Sequence, residues 1–133
     1  LVTTGRGSLA KHKIPFAKDM APCTSFEECI KQIQPTGIIG LSAQAKAFNE
    51  SIVRLMSEIN EHPVIFALSN PTSKAECTAE EAYTWSDGRA LFACGSPFPP
   101  VTYNGKTFVP RQGNNSYVFP GIGLGAIVGE GAA

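Results

Sequence analysis

The sequence predicts an α/β protein built on a doubly wound parallel sheet that carries a β-hairpin appendage. Short apolar segments alternate with amphipathic segments in the order β-α-β-α-β, and the loops between them are short. This order favours a parallel sheet with right-handed crossovers. An Asn-Gly pair between two alternating segments then predicts the hairpin. The 133 residues have the length of one ordinary domain.

The amino-terminal segment is expected to contain one helix. The first residues, LVTTGR, are typical of the end of a strand. Ser25 and Glu28 then have the spacing of a capping box, and apolar residues follow them at helical spacing. We therefore predict a short helix in SFEECIKQIQP, which Pro35 ends.

The central segment supplies the alternating strands and helices. Short apolar runs predict buried strands, and apolar residues at helical spacing predict amphipathic helices. A second capping box, Thr78 with Glu81, opens the second of these helices, and Gly88 ends it. The predicted elements are a strand at 37–42, a helix at 44–60, a strand at 64–68, a helix at 79–85 and a strand at 89–93.

The carboxyl-terminal segment predicts a hairpin and then a helix. In VTYNGKTF, Asn104 and Gly105 are the preferred pair for a type I′ turn. In FPGIGLGAIVG, Pro120 is well placed in the first turn of a helix.

Composition argues against several classes of partner. The formal net charge is +0, so no global positive field attracts nucleic acid or an anionic membrane. The longest apolar stretches are shorter than the roughly 18 to 20 residues of a membrane-spanning helix. The four cysteines form no CxxC pair and do not cluster with histidine at metal-ligand spacing, so we expect reduced thiols inside the cell and no metal site.

Three loops follow the predicted strands, and they are the candidate ligand-binding segments. They read LSAQA, SNPTSK and CGSPF. Ligands of doubly wound sheets gather at the carboxyl ends of the strands, although many such loops only cap the next helix. The pair Asn114-Asn115 has the same two interpretations, because asparagine both forms turns and binds polar ligands. From these residues alone, an enzyme and a binding module are both open.

Four motifs, FALSNPT, AECTAEEAY, GSPF and QGNNSYVFPG, closely resemble the carboxyl-terminal, cofactor-binding region of malic enzymes. The resemblance covers essentially the whole chain. Malic enzymes oxidatively decarboxylate (S)-malate to pyruvate and CO2 with a nicotinamide dinucleotide and a divalent metal. The resemblance implies a Rossmann-like NAD(P)-binding domain whose carboxyl-terminal part is residues 1–133, with the first βα unit missing.

The resemblance also implies roles for individual residues. Lys13 matches a position where NADP-preferring members carry lysine, and a cation there would pair with the 2′-phosphate. No catalytic residue and no metal ligand is implied within this chain. The implied substrate-binding residues are Asn70, Asn114 and Asn115, and the implied cofactor-binding residues are Gly40, Leu41, Ser42, Lys13 and Asn114.

The chain departs from the family pattern in the loop after the first strand. Ala43 and Ala45 stand where later glycines are usual. Alanine disfavours positive φ, which argues against a close approach of this loop to the cofactor. The alanines lend some support to an alternative function, a non-catalytic nucleotide-binding or regulatory module derived from the same fold.

The resemblance leads to further expectations about the whole protein. The cofactors are NADP or NAD, together with Mg or Mn bound by residues outside this chain. The chain alone is expected to be inactive, and the full-length protein is expected to be a homo-oligomer that acts on malate and pyruvate. We expect a cytoplasmic location and leave mitochondria and plastids open, because a targeting segment would lie outside these residues.

Overall fold

A computed structural model describes residues 2–129 and divides the chain into two compact units between Pro35 and Thr36. The amino-terminal unit contains a 3-10 helix, Lys11–Phe16, and one α-helix, α1, Phe26–Ile33. Thr3 forms a single parallel bridge with Lys18 where the sequence predicted the end of a strand. The first residue of that prediction, Leu1, lies outside the described residues.

Helix α1 confirms the predicted helix, with a modified cap. The Ser25 side chain accepts the N–H of Glu28, as a capping box requires. The Glu28 carboxylate bonds one residue further back than the box predicts, to the N–H of Thr24 at 2.6 Å and the Thr24 hydroxyl at 2.8 Å. These two bonds hold the pKa of Glu28 below its ordinary value.

The carboxyl-terminal unit contains a sheet of four parallel strands. The strands are β1 (Gly37–Gly40), β2 (Val64–Ala67), β3 (Leu91–Cys94) and β6 (Arg111–Gln112), in the order β1-β2-β3-β6. Strands β4 (Val101–Tyr103) and β5 (Lys106–Phe108) form a separate antiparallel hairpin. The α/β class, the parallel sheet and the hairpin are therefore confirmed.

The core lies on one face of this sheet. Ile38, Ile65 and Phe92 are paired in register on β1, β2 and β3, and all three are buried. Helices α2 (Glu50–Ile59) and α3 (Ala79–Trp85) contact each other, and Val53 and Met56 of α2 are fully buried. Burying each such side chain stabilises the fold by about 1.5 to 3 kcal/mol.

The predicted start of α2 at residue 44 is wrong. The helix begins at Glu50, where the Asn49 side chain accepts the N–H of Ile52. Residues before it form a loop in which Ala43 and Lys46 have φ of 54° and 60°. Phe48 belongs to this loop yet is buried, so it extends the apolar periodicity beyond the helix itself.

Helix α3 and the hairpin match the prediction closely. Thr78 and Glu81 form the complete capping box of α3. Asn104 and Gly105 both have positive φ, 48° and 75°, as a type I′ turn requires. The hairpin packs on α3 through Tyr83, whose ring stacks on Phe108 with centroids 4.4 Å apart.

The last helix, α4, is Asn115–Val128, so the predicted placement of Pro120 in a first turn is wrong. The Asn114 side chain accepts the N–H of Ser116 and starts the helix there, which makes Pro120 its sixth residue. Strand β6, just before α4, was not predicted either. None of the helices within residues 2–129 combines the length and apolar character that crossing a membrane requires.

Gly95 is expected to be intolerant of any side chain. A Cβ there would overlap the backbone carbonyl of Leu68, which cannot move without disturbing β2. We expect Gly95→Ala to lower the free energy of unfolding by about 3 kcal/mol, measured by urea denaturation. Gly7→Ala is the control, because a Cβ there meets nothing within 4 Å and should change stability by less than about 0.5 kcal/mol. Equal stabilities of the two variants would contradict this account.

Ala43→Gly is expected to stabilise the chain. Ala43 has the left-handed conformation, which costs a residue with a Cβ about 1 to 2 kcal/mol and which glycine adopts without that cost. Glycine also makes the unfolded chain more flexible, which lowers the free energy of unfolding by about 0.4 to 1 kcal/mol. The net gain should reach up to about 1.6 kcal/mol, measured by urea denaturation. Ala45→Gly, at a position without positive φ, should be destabilising instead. A loss of stability in both variants would show that Ala43 is not strained.

Candidate functional site

The predicted ligand-binding segments lie at one edge of the sheet. Because β1, β2, β3 and β6 are parallel neighbours, their carboxyl ends share that edge. The segments that leave it carry Leu41 and Ser42 after β1, Asn70 after β2, Ser96 after β3 and Asn114 after β6. Gly40 ends β1 and Asn115 follows Asn114, so the six predicted site residues of the carboxyl-terminal unit all lie at or next to this edge.

Asn70 is held in a defined orientation by the loop that follows β3. The Ser96 hydroxyl donates to Asn70 Oδ1 at 2.7 Å. Gly95 permits this approach, because a Cβ there would lie 2.9 Å from the same oxygen. The peptide bond between Asn70 and Pro71 is cis. Since the amide oxygen is occupied, the exposed Asn70 side chain presents its NH2 group as the donor for an acceptor.

Asn114 and Asn115 have different environments. Asn114 Oδ1 caps α4, as the turn-former interpretation predicts. Asn115 Oδ1 is buried and accepts no hydrogen bond from any residue within 2–129. An unpaired buried acceptor costs about 1 to 3 kcal/mol. A ligand that supplies an N–H or O–H donor would remove that cost, so Asn115 is the stronger candidate for a ligand contact.

The start of α4 is fastened to the end of β3. The N–H of Gly113 donates to the Cys94 carbonyl at 2.8 Å, and Gln112 Nε2 donates to the Gly95 carbonyl at 3.1 Å. Gly113 also has no room for a Cβ, which would lie 2.7 Å from the Val118 side chain. These contacts fix where Asn114 and Asn115 stand relative to β3.

A buried polar pair, Ser69 and Glu76, lies behind the loop that follows β1. The Ser69 hydroxyl donates to Glu76 Oε1 and accepts the N–H of Ala43 at 2.9 Å. A Cβ at Gly40 would overlap the Glu76 carboxyl group. Neither residue is among the site residues predicted from the sequence. The available signal was an acid between two apolar residues, Ala75 and Cys77, directly before a capping box.

Lys13 belongs to the amino-terminal unit, where it lies exposed in the 3-10 helix Lys11–Phe16. Its place in the sequence cluster KHK allows both a solvated surface and a phosphate contact. The role of Lys13 toward the cofactor stays a prediction.

Neither metal binding nor a nucleophilic thiol is supported among the described residues. Within residues 2–129, no three His, Cys, Asp or Glu side chains gather as a metal-ligand set, and no step is assigned to a metal here. Burial raises the pKa of the Cys77 and Cys94 thiols, which disfavours their nucleophilic thiolate form.

A cavity of about 350 Å³ opens between the start of α3 and the segment from Phe98 to Thr102. Its lining includes Glu80 and Pro99 but none of the predicted site residues. Asn70 and Asn114 instead follow β2 and β6 at the carboxyl edge of the sheet, which is where ligands of parallel sheets bind.

The chain matches the family described as "Malic enzyme, NAD binding domain" over residues 1–132. It is 56% identical over 128 residues to the "NAD-dependent malic enzyme, mitochondrial" of Ascaris suum, which is 96% of this chain and 20% of that protein. It is 52% identical to the "NADP-dependent malic enzyme, chloroplastic" of Zea mays and to the "NADP-dependent malic enzyme" of Vitis vinifera, again over 96% of this chain and over 20% and 22% of those proteins.

The chain thus spans about a fifth of the length of these relatives. The fold supports the match, because a four-stranded parallel sheet with helical crossovers is Rossmann-like. Since the match covers nearly every residue and more than half of the aligned residues are identical, the chain belongs to the malic enzyme family.

Proposed function

We propose that this chain contributes dinucleotide and malate contacts to an enzyme that oxidatively decarboxylates (S)-malate to pyruvate and CO2 and reduces NAD(P). Family membership supports the reaction class. The observation that carries the assignment of a site is the buried, unpaired Oδ1 of Asn115 at the carboxyl edge of the sheet. Residues 1–133 are, in this proposal, the carboxyl-terminal part of the NAD(P)-binding domain.

The asparagines have complementary tasks in this proposal. A bound nicotinamide dinucleotide would supply the hydride acceptor for oxidation of the hydroxyl-bearing carbon of malate. Asn115 Oδ1 accepts a donor such as a carboxamide N–H or the malate hydroxyl. Asn70, oriented by Ser96, donates its NH2 group to a carboxylate. Neither amide titrates near neutral pH, so substrate and cofactor stay oriented for hydride transfer over a wide pH range.

Asn114 and the loop after β1 complete the proposed contacts. With Oδ1 engaged in capping, Asn114 has its NH2 group left for a ligand. Gly40, Leu41 and Ser42 are proposed to lie against the dinucleotide. Ala43 keeps a positive φ despite its side chain. This observation weakens the support that the loop alanines gave to a non-catalytic module.

The remaining features are proposals about the whole protein. The relatives include NAD-dependent and NADP-dependent enzymes, so either dinucleotide is a candidate cofactor. We propose that Mg or Mn binds to residues outside this chain and that the protein is a homo-oligomer. Some relatives are mitochondrial or chloroplastic, and the cytoplasmic location stays a proposal beside those two compartments.

Asn70→Asp and Asn115→Asp test the malate contacts in the full-length protein. Each change keeps the side-chain shape but sets a negative charge beside the substrate carboxylates. Asn70→Asp loses the NH2 group that donates to a carboxylate, a hydrogen bond to a charged group worth about 1.5 to 3 kcal/mol, so kcat/KM for malate should fall about 10- to 150-fold. Asn115→Asp keeps an oxygen acceptor, so kcat/KM for malate should fall there because of the added negative charge. Steady-state kinetics and thermal melting should be recorded on the same preparations.

Asn104→Asp is the matched control, since it makes the same chemical change in the hairpin turn and should leave malate kinetics unchanged. Normal malate kinetics with lowered melting temperatures in the two site variants would instead mean that these asparagines only form turns and caps.

Lys13→Gln tests the proposed phosphate contact. A cation that pairs with the 2′-phosphate contributes to binding of NADP and not of NAD. In the full-length protein, the KM for NADP should rise about 10- to 150-fold while that for NAD changes little, since a charge-assisted bond is worth about 1.5 to 3 kcal/mol. Lys11→Gln, in the same 3-10 helix, is the control. Equal effects on both dinucleotides would identify the KHK cluster as solvated surface.

A further inference from the structure

The carboxylate of Glu76 is buried without a cationic partner. Glu76 is 1% exposed, and no salt bridge within residues 2–129 involves it. Within residues 2–129, the hydrogen bonds of its side chain are to Ser69: the hydroxyl donates to Oε1, and the backbone N–H donates to Oε2 at 3.4 Å. Removing a carboxylate from water costs free energy unless other hydrogen bonds replace those to water. The stability of the fold alone therefore does not account for a glutamate at this position.

The bonds around Glu76 converge on the loop that follows β1. Ser69 Oγ accepts the N–H of Ala43 at 2.9 Å, which links the carboxylate to the loop through one hydroxyl. The Glu76 carbonyl accepts the N–H of Phe48 at 3.0 Å, and the Ala75 carbonyl accepts the N–H of Lys46 at 3.1 Å. Three backbone N–H groups of the loop, at residues 43, 46 and 48, therefore donate hydrogen bonds to the segment between Ser69 and Glu76.

The side chain of Glu76 also sets the start of this loop. It fills the space beside Gly40, where a Cβ would overlap its carboxyl group. The next two residues, Leu41 and Ser42, are exposed. The loop thus presents its outer residues to solvent while its inner side is fixed by the Ser69–Glu76 pair.

We infer that Ser69 and Glu76 are positioning residues for the dinucleotide, holding Gly40 to Ser42 in the conformation that contacts it. Both are buried, so they act through the loop and do not touch the cofactor themselves. This inference rests on the proposed function, because it deepens the role of the same loop.

Ser69→Ala is the main test, in the full-length protein. The change removes the hydroxyl that joins Ala43 to Glu76, and we expect the Kd and the KM for the dinucleotide to rise about tenfold. The KM for malate and kcat at saturating dinucleotide should change less than twofold. Ser86→Ala is the matched control, because Ser86 is equally buried and its hydroxyl bonds Ala90 and Tyr83 in the α3–β3 connection.

The control separates positioning from general stability. Both serine variants should lose stability, but the dinucleotide Kd should rise only in Ser69→Ala. If Ser69→Ala does not fold, Glu76→Gln carries the test, since it keeps the volume and replaces the acceptor of the Ser69 N–H by an NH2 group. A dinucleotide Kd that rises equally in the site and control variants, or in neither, would overturn the inference.

Amide hydrogen exchange separates this inference from the proposed function. Exchange at residues 41–46 should be faster in Ser69→Ala than in wild type and unchanged in Ser86→Ala. Both results should hold whether or not a dinucleotide binds. Wild-type protein that binds no dinucleotide would refute the proposed function. Wild-type binding with unchanged exchange and unchanged Kd in the site variant would refute the positioning role alone.

Discussion

The buried hydroxyl of Ser69 joins the loops that leave two neighbouring strands, because it accepts the N–H of Ala43 after β1 and donates to the Glu76 carboxylate on its own segment after β2. Separate main-chain bonds hold the same loop again just before α2, where the carbonyls of Ala75 and Glu76 accept the N–H groups of Lys46 and Phe48. The loop is consequently hydrogen-bonded to the neighbouring segment at three residues, and α2 begins only after the last of them, Phe48. The separation of Gly40 from α2 follows from that constraint.

The local elements of the fold could be predicted where a single interaction dominates. The capping box at Thr78 and the turn at Asn104-Gly105 need only neighbouring residues, and both are observed. Element boundaries failed where contacts distant in sequence compete. Phe48 is apolar and buried at helical spacing, yet main-chain bonding to Glu76 keeps it out of α2. Strand β6 has two polar residues, too few to show any periodicity.

The site was predictable in outline and not in detail. Parallel strands bring their carboxyl ends to one edge, so the strand order alone groups the loops that carry Asn70 and Asn114. Sequence could not divide the tasks of the adjacent asparagines, because either amide can cap a helix. In the structure, Asn114 caps α4, and the buried Oδ1 of Asn115 has no hydrogen-bond partner within the described residues. Ser69 and Glu76 are seven positions apart and match no sequence motif, so their hydrogen bond could not be predicted from the sequence.

The lack of room at Gly40 ties two positions together in evolution. Any side chain at residue 40 would displace the Glu76 carboxyl group, and any shortening of residue 76 would open a void beside the strand end. A tolerated change at one position therefore requires a compensating change at the other. Among homologous sequences, these two positions should covary, although 36 positions separate them along the chain.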